Sequence, residues 1–529
     1  MEVRKKFVSL IKENKKEIVI LSILNVLVSV FVVAFAYFSK EFIDSINSDK
    51  FYLFLGLLVA SIVLEVGFKL YTSYLSFNYC AKEEMKLREE TSSKLFSKRY
   101  ESIKSFEEGE LVQRIKEETR FVSSSVINLV PSSLLIISRL ILSFALLLVL
   151  DYIFGLALLG CGLIIFFVTF LLRKKNKKLH RLLQEKEAKV FDYYNESFIN
   201  ILAIKVFGYN KKLEGKEKEV NKELYEAKVN QNNFNIMVNG GFLTIIRLSY
   251  VVAIIYCVFR LQEGMALGSL LAIVQLVGQF ATPFSSLSSI PQTYHRVLAS
   301  LERIEELTGL EEDKRVRLEE EFKSIDIKDL HYAYGDNIVL KGIDLVINKG
   351  EKILIKGGSG EGKSTLIKCI LGEYVPLEGS VLINEEYSSN NIEGLFAYVP
   401  QVTYMTSGSI KENLELFKEN ELSYNSLEVV DLKEEIENLP LKEDTLISSL
   451  NEGLSIGQLQ RLSLARALES SREVILIDEG TSSLDEETEK KVLTNLSKLD
   501  KTIIFISHHN IDSYMDKVYE LKEGKLWTR

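Results

Sequence analysis

The sequence has few cysteines, no excess of positive charge, and long stretches that carry no charge. Its four cysteines, among 529 residues, lack the paired spacing of a disulfide framework or a metal site. We therefore expect buried free thiols at Cys80, Cys161, Cys257 and Cys369. The formal net charge is -8, and because phosphate binding needs a basic surface, no nucleic-acid partner is expected.

The chain divides by composition into two parts. Its 529 residues exceed the size of one ordinary core. Long uncharged runs fill much of the first 290 residues, whereas the remainder has the composition of a soluble domain. We predict a membrane domain over residues 1–308, a charge-dense linker over 309–321 and a soluble domain over 322–529.

Six apolar runs are long enough to cross a membrane, since a hydrocarbon core about 30 Å thick needs roughly 20 apolar residues per helix. In chain order they are Ile18–Phe38, Phe51–Ser76, Ile127–Leu150, Tyr152–Leu172, Met237–Phe259 and Ala266–Ile290. The first run has features of a secretory signal, but it is long for one and further spans follow. We therefore predict an all-α transmembrane domain of six helices that lies in a lipid bilayer.

Lysine and arginine concentrate in alternate loops. They precede the first span and recur in the loops 77–126 and 173–236, while the opposite loops hold only Lys40, Lys50 and Arg260. By the positive-inside rule, both termini and the soluble domain are expected on the cytoplasmic side of the plasma membrane. We expect the two long inner loops to be helical extensions of the spans whose tips touch the soluble domain; the alternative is solvated helical hairpins.

A glycine-rich loop follows an apolar β-type run, Lys352–Lys356, and precedes a helical pattern. The loop consists of Gly357, Gly358, Ser359, Gly360, Glu361, Gly362, Lys363, Ser364 and Thr365. This is the pattern G-x-x-x-x-G-K-[ST], in which backbone N–H groups converge on phosphate oxygens at a helix N-terminus. It predicts ATP binding, with Lys363 at the β- and γ-phosphates and the Ser364 hydroxyl as a ligand of Mg²⁺.

A second apolar run, Val474–Ile477, ends in two carboxylates about 115 residues after the phosphate loop. Asp478 is placed to hold Mg²⁺ through its water shell, and Glu479 to polarise the attacking water. Together with the run Thr502–Ile506, these segments predict an α/β domain with a largely parallel sheet.

Further motifs make the second half resemble the ABC ATPases. The run Leu454–Gln458, with Ser455, Gly457 and Gln458, is similar to the LSGGQ signature of that family. Other positions match the adenine-stacking aromatic, the Q-loop glutamine, the D-loop aspartate and the switch histidine; in that order they are Tyr334, Gln401, Asp485 and His508. His509 has no counterpart in the family.

The membrane half resembles exporter-type transporters of the same family. Phe106–Ile115 and Glu196–Phe207 are similar to their coupling regions, and residues 282–304 to the end of the sixth helix. The resemblance implies a half-transporter that hydrolyses ATP as a homodimer or a heterodimer. It implies catalysis by Glu479 with Gln401 and His508, Gln401 also serving Mg²⁺. Signature residues would cap the γ-phosphate of ATP held by the other subunit.

Ile456 departs from the family pattern, which usually has glycine there. A β-branched residue cannot easily adopt a positive φ. We expect the position to be helical, which would make isoleucine harmless; the alternative is an impaired γ-phosphate cap.

The transported solute is not determined by the sequence. Export of a peptide, a drug-like amphiphile or a lipid is the leading expectation. No papain-like peptidase precedes the first span, so cleavage of leader peptides is not expected. Two alternatives stay open: a non-transporting ABC protein that gates or signals, and an importer built on the exporter fold.

Charged residues lie inside three of the predicted spans: Glu65 and Lys69, Arg139, and Arg247. Counted inward at 1.5 Å per residue, Glu65, Arg139 and Arg247 fall at a depth of about 16–21 Å. Charges there cost several kcal/mol unless they are paired or face a watery cavity. One interpretation is an internal ion-pair network. The other is a cavity that favours a cargo with a carboxylate or phosphate group.

Overall fold

The computed structural model describes residues 2–287, 289–417, 425–447, 453–470 and 472–529. The chain forms two compact units. The helical unit comprises Met1–Phe96 and Phe106–Gly309, and the sheet unit comprises Ser97–Ser105 and Leu310–Arg529.

Helices occur in both units. In chain order they are α1 (Glu2–Glu13), α2 (Lys15–Asp44), α3 (Phe51–Phe96), α4 (Tyr100–Ile103), α5 (Glu108–Gln113), α6 (Thr119–Leu150), α7 (Tyr152–Ile199), α8 (Ile201–Phe207), α9 (Asn210–Gln262), α10 (Leu267–Leu287), α11 (Ser289–Thr308), α12 (Lys363–Ile370), α13 (Ile410–Glu415), α14 (Asn425–Val429), α15 (Lys433–Glu437), α16 (Ile456–Glu469) and α17 (Glu486–Ser497). A π-helical turn, Arg114–Glu118, joins α5 to α6.

Strands occur only in the sheet unit, among the described residues. They are β1 (Val316–Arg317), β2 (Ser324–Tyr334), β3 (Asn337–Asn348), β4 (Lys352–Lys356), β5 (Glu378–Ile383), β6 (Tyr387–Ser388), β7 (Ile392–Glu393), β8 (Phe396–Val399), β9 (Gly408–Ser409), β10 (Leu446–Ile447), β11 (Val474–Asp478), β12 (Thr502–Ile506), β13 (Lys517–Lys522) and β14 (Lys525–Thr528).

Over the described residues, the predicted spans fall on helices, except that Ala266 precedes α10; residue 288, within the sixth span, lies outside the described residues. Among the described residues, four helical stretches are long and apolar enough to cross a membrane: Lys15–Asp44, Phe51–Phe96, Glu108–Leu150 and Lys211–Gln262. Two shorter apolar stretches, Tyr152–Ile164 and Leu267–Phe280, carry the fourth and sixth spans. Helices satisfy their own backbone polar groups, as a hydrocarbon environment requires. The predicted fold class, an all-α membrane domain followed by an α/β domain, is confirmed.

The cysteine prediction is correct in part. All four thiols are free, and Cys257 and Cys369 are buried, but Cys80 is half-buried and Cys161 is exposed. Cys161 lies on α7 within the fourth span. An apolar side chain on a membrane helix can face lipid as favourably as protein, so its position in an apolar run does not imply burial in the protein.

The larger sheet has the order β14-β13-β4-β12-β11-β8, and all its neighbours are parallel except β13 and β14. Successive side chains of a strand point to opposite faces. Accordingly Ile353 and Ile355 of β4 join one buried cluster, with α12, while Leu354 joins the other, with α16 and α17. A second, antiparallel sheet, β3-β2-β5-β6, covers the first cluster and was not predicted from the sequence.

Candidate functional site

The phosphate loop and the predicted catalytic residues lie at one edge of the larger sheet. The strands β4, β12, β11 and β8 are parallel neighbours, so their carboxyl ends lie together. The phosphate loop, Gly357–Thr365, follows β4; His508 follows β12; Glu479 follows β11; and Gln401 follows β8. In open α/β sheets this edge is where ligands bind.

The phosphate loop turns sharply into α12. Gly362 is the N-cap residue with φ of 99°, and a Cβ there would lie 2.8 Å from Cγ1 of Val339, so only glycine fits. Lys363 is buried, and its Nζ donates to the carbonyl oxygens of Gly357 at 2.9 Å and Gly358 at 2.8 Å. Burial lowers the pKa of Lys363. The same Nζ lies 3.4 Å from Nε2 of His508. A desolvated ammonium whose bonded partners carry no negative charge would gain strongly from a phosphate.

Ser364 and Asp478 form the pair predicted to serve Mg²⁺. The Ser364 hydroxyl donates to Oδ2 of Asp478 at 3.2 Å, and Asp478 is 5% exposed. Burial raises the pKa of this carboxyl group, which means that its anionic form is only partly compensated by its neighbours. A hydroxyl, a carboxylate and the nearby amide of Gln401 are the oxygen donors that Mg²⁺ prefers. The residues therefore fit the ion.

Glu479 lies between the Q-loop glutamine and the switch histidine. Its Oε2 accepts a hydrogen bond from Nε2 of Gln401 at 2.6 Å, and its Oε1 lies 3.0 Å from Nε2 of His508. Glu479 has a φ of 53°, a left-handed conformation that costs free energy for a non-glycine residue. The strained backbone turns the carboxylate out of the strand and towards the other two side chains.

Tyr334 is placed to stack on an adenine ring. It is 45% exposed, and its hydroxyl lies 3.3 Å from Oγ1 of Thr365 at the end of the phosphate loop. The rings of Tyr332 and Tyr374 pack edge-on against it at 5.2 and 6.0 Å. An aromatic face next to the phosphate loop is what the resemblance required.

The segment Ser97–Ser105, from the first long inner loop, belongs to the sheet unit and contacts this aromatic group. Glu101 accepts from the Tyr332 hydroxyl at 3.0 Å, and Lys104 donates to the Tyr374 hydroxyl at 2.8 Å. The Lys104 ammonium also lies 5.8 Å from the ring centroid of Tyr334. The tip of this loop thus touches the soluble domain, as predicted. Its contact with the aromatic group was missed, because nothing local in the sequence links residues so far apart.

The signature residues begin α16. Ser455 is the N-cap and forms a capping box with Gln458, whose amide also donates to Glu435 at 2.7 Å. Ile456 is the first helical residue, is 70% exposed and is not among the residues with positive φ. The position is therefore helical, and isoleucine needs no left-handed backbone there.

Among the described residues, the side chains of Ser455, Gln458 and Asp485 make no hydrogen bond to the phosphate loop or to Glu479. Asp485 is the N-cap of α17 and accepts from the backbone of Thr488 at 3.0 Å. A Cβ at Gly457 would lie 3.2 Å from the carbonyl oxygen of Ser483, so the signature borders the D-loop. Among the described residues, no hydrogen bond or ion pair links these groups to Lys363.

Glu435 is a supporting residue that sequence reasoning missed. One carboxylate oxygen accepts from Gln458, and the other accepts from Arg461 at 2.7 Å. Arg461 is nearly buried, so its charge needs this partner. Glu435 lies on the separate short helix α15, and only folding brings it to the signature.

The charged residues of the predicted spans are only partly brought together. Arg139 on α6 is half-buried, its Nε has no hydrogen-bond partner, and Glu65 on α3 lies within electrostatic reach. Arg247 on α9 is exposed. Within the described part of the chain, no ion pair involves Arg247, and the internal network stays a prediction.

Two family profiles match the chain. The profile described as "ABC transporter transmembrane region" matches residues 18–284, and the profile described as "ABC transporter" matches residues 340–482. Apart from Ser97–Ser105, the first lies in the helical unit, and the second spans the phosphate loop, the signature and the strand β11.

Curated relatives include bacterial transport proteins. The chain is 32% identical over 304 residues to the "Lactococcin-A transport/processing ATP-binding protein LcnC" of Lactococcus lactis subsp. lactis, covering 55% of this chain and 42% of that protein. It is 26% identical over 515 residues to a "Probable ABC transporter ATP-binding/permease protein" of Haemophilus influenzae, covering 92% of this chain and 91% of that protein. Of the first relative, therefore, the chain spans less than half the length.

A solved structure has the same fold. The "Structure of a bacterial Atm1-family ABC exporter with ATP bound" matches with a TM-score of 0.80 at 20% sequence identity, covering 97% of this chain and 95% of that one. The profiles account for more than half of the sequence. The chain is a multi-pass membrane protein that belongs to the ABC transporter family.

Proposed function

We propose that this chain is half of an ATP-driven exporter, which completes two ATP sites by pairing with a second half-transporter. The observation that carries the proposal is a division within the sheet unit. Lys363, Ser364, Asp478 and Glu479 meet at the sheet edge. In the described part of the chain, Ser455 and Gln458 instead cap each other's backbone, and Gln458 bonds to Glu435 on α15. A catalytic cluster without its cap is half of a site.

A second copy of this chain would supply every missing group. The chain carries a phosphate loop, a catalytic glutamate and a helical signature, so two copies arranged head to tail would form two equivalent sites. ATP would then hold the two ATPase domains together through the Ser455 end of α16, since a helix N-terminus favours a phosphate. Hydrolysis would release them. We therefore favour a homodimer, with a heterodimer as the outcome that the experiment below can reveal.

Hydrolysis would proceed through the residues around Glu479. Mg²⁺, held by Ser364, Asp478 and Gln401, would neutralise charge on the phosphates. Glu479 would accept a proton from the attacking water, and His508 would hold the carboxylate in place from its other side. Lys363 would bind the β- and γ-phosphates.

Coupling would run through the inner loops. Ser97–Ser105 directly follows α3 in the chain and contacts the aromatic group beside the adenine site. A change at the nucleotide would therefore alter the position of this segment. On α8, in the second loop, the side chains of Leu202, Val206 and Phe207 are more than 70% exposed. Such apolar exposure suits docking onto the partner's ATPase domain.

The cargo is proposed to be a peptide, with a drug-like amphiphile or a lipid as alternatives. Support comes from the relative named for lactococcin-A transport. Arg139 and Arg247, with Glu65, are proposed to line the cavity and to favour a carboxylate or phosphate group on the cargo. The protein would lie in the plasma membrane with both termini and the ATPase domain cytoplasmic.

The test is ATPase activity and transport by the purified chain in vesicles with the ATPase domain outside. Activity of this chain alone and accumulation of peptide inside the vesicles are expected. Activity that appears only with a second half-transporter would indicate a heterodimer. Turnover without any solute movement would indicate a gating or signalling protein, and movement outwards from the vesicles an importer.

A further inference from the structure

His509, next to the switch histidine, is bonded to the helix that follows the D-loop. Its Nδ1 lies 2.9 Å from Oε1 of Glu489 on α17. The same oxygen accepts a hydrogen bond from the hydroxyl of Thr481 at 2.8 Å. Thr481 is 2% exposed and lies two residues after Glu479. One carboxylate oxygen thus binds the loop after β12 and the loop after β11.

The chemistry of the two groups determines which of them donates the hydrogen bond. The Glu489 side chain is 13% exposed, so its carboxylate depends on the donors around it. A carboxylate only accepts, so Nδ1 of His509 carries the proton and donates. The backbone N–H of His509 donates in turn to the hydroxyl of Ser507 at 3.0 Å, which holds the residue on both sides.

The same loop is held from its other side by the helix of the signature. Gln460 on α16 is 3% exposed; its amide donates to the Ser482 hydroxyl at 3.2 Å and accepts from the backbone of Ser483 at 3.0 Å. The segment 479–485 therefore lies between the buried side chain of Gln460 and the partly buried side chain of Glu489. Gln460 ties it to the signature helix, and Glu489 ties it to the loop of His508.

We infer that His509 is a positioning residue for ATP hydrolysis, acting through Glu489 and Thr481 to hold His508 against Glu479. His508 and His509 are consecutive, so anchoring one limits the movement of the other. The loop after β12 carries His508 and the loop after β11 carries Glu479, and both loops bond to Glu489. These bonds hold the 3.0 Å contact between His508 and Glu479. This inference rests on the proposed ATPase function and assigns a role to a residue that has no counterpart in the family pattern.

The experiment measures kcat and KM for ATP on the full-length protein in vesicles. His509→Ala should lower kcat about tenfold and leave KM within about twofold, since a small misplacement of catalytic groups slows chemistry without weakening binding. His509→Asn should restore most of the turnover, because its amide nitrogen takes the place of Nδ1. His509→Gln places the nitrogen further out and should not. Glu486→Gln, on the same helix but exposed and paired with Lys490, is the matched control.

A double variant, His509→Ala with Glu489→Ala, should lose no more activity than the worse single variant, because both remove one contact. Parent-like kcat in His509→Ala would overturn the inference, as would equal losses in the Ala and Asn variants. A rise in KM that matches the fall in kcat would indicate a general structural role and would overturn it too. A parent protein without ATPase activity would refute both this inference and the proposed function, whereas an active parent with an active His509→Ala variant refutes this inference alone.

Discussion

Oε1 of Glu479 lies 3.0 Å from Nε2 of His508, at the ends of two strands that are direct neighbours in the sheet. The two residues are far apart in the sequence, and the pairing of β11 with β12 alone brings them together. Gln401 binds the other oxygen of the same carboxylate from the end of β8. The three side chains that the family pattern assigns to catalysis thus form one contact group in a single chain.

Glu479→Gln should retain ATP binding and lose most turnover. Lys363, Ser364 and Asp478 would still hold Mg-ATP, but the water would lack its base, which typically costs about 10²–10⁴-fold in rate. Fluorescent-nucleotide binding and phosphate release measure the two properties separately. Glu473→Gln serves as the control and should behave like the parent, because Glu473 lies directly before the first residue of β11, at the other end of the strand from Glu479. Near-normal ATPase activity in Glu479→Gln would show that the base is elsewhere.

Ile456→Gly should leave ATPase activity within about twofold of the parent. The residue is helical and 70% exposed, so the backbone gains nothing from glycine, which costs about 1 kcal/mol of helix stability at most. Turnover of the purified chain is the measurement. A large increase would indicate that isoleucine weakens the γ-phosphate cap. Loss of expression would point to a structural role for the side chain.

Glu435→Gln should lower turnover about tenfold, corresponding to ~1.4 kcal/mol, without affecting nucleotide binding to the phosphate loop. The substitution removes the charge that Arg461 needs and loosens Gln458 at the signature. Turnover and ATP-dependent dimer formation are measured together. Glu434→Gln, exposed on the same helix, is the control. Equal behaviour of the two variants would argue against support of the signature by Glu435.

Lys104→Met should reduce stimulation of ATPase activity by cargo while basal activity stays within about twofold. The variant loses the bond to the Tyr374 hydroxyl and the cation over the Tyr334 ring, a contact worth about 0.5–2 kcal/mol. The ratio of stimulated to basal activity is the readout. Lys116→Met, exposed in the π-helical turn, should keep the parent ratio. An unchanged ratio in Lys104→Met would remove this segment from the coupling path.

Arg139→Gln and Arg247→Gln should each weaken stimulation by an anionic cargo and leave basal ATPase activity nearly intact. Both arginines lack a hydrogen-bonded acidic partner among the described residues, although Glu65 lies near Arg139. Dose-response curves with a peptide and its carboxy-amidated form would show whether the negative group matters. If both variants transport normally, the arginines do not recognise cargo.

The sequence alone determined the class of this protein and most of its ATP site. Long uncharged runs predict membrane helices because a bilayer excludes charge. The phosphate loop and the acidic end of β11 are local patterns, whose flanking strand and helix are encoded within a few residues. The helical state of Ile456 was predicted too, because it depends on the adjacent cap at Ser455.

The tertiary structure decided every relationship that depends on distant residues. The antiparallel sheet, the support of Gln458 by Glu435 and the bond between His509 and Glu489 join elements with no shared local pattern. Cys161 was predicted to be buried and is exposed, because an apolar run on a membrane helix does not specify which face meets protein. The catalytic group likewise depends on strand order, because β8, β11 and β12 must be neighbours for Gln401, Glu479 and His508 to meet. Several apolar strands of this domain are similar in sequence, so which of them pair is decided by packing of the whole core.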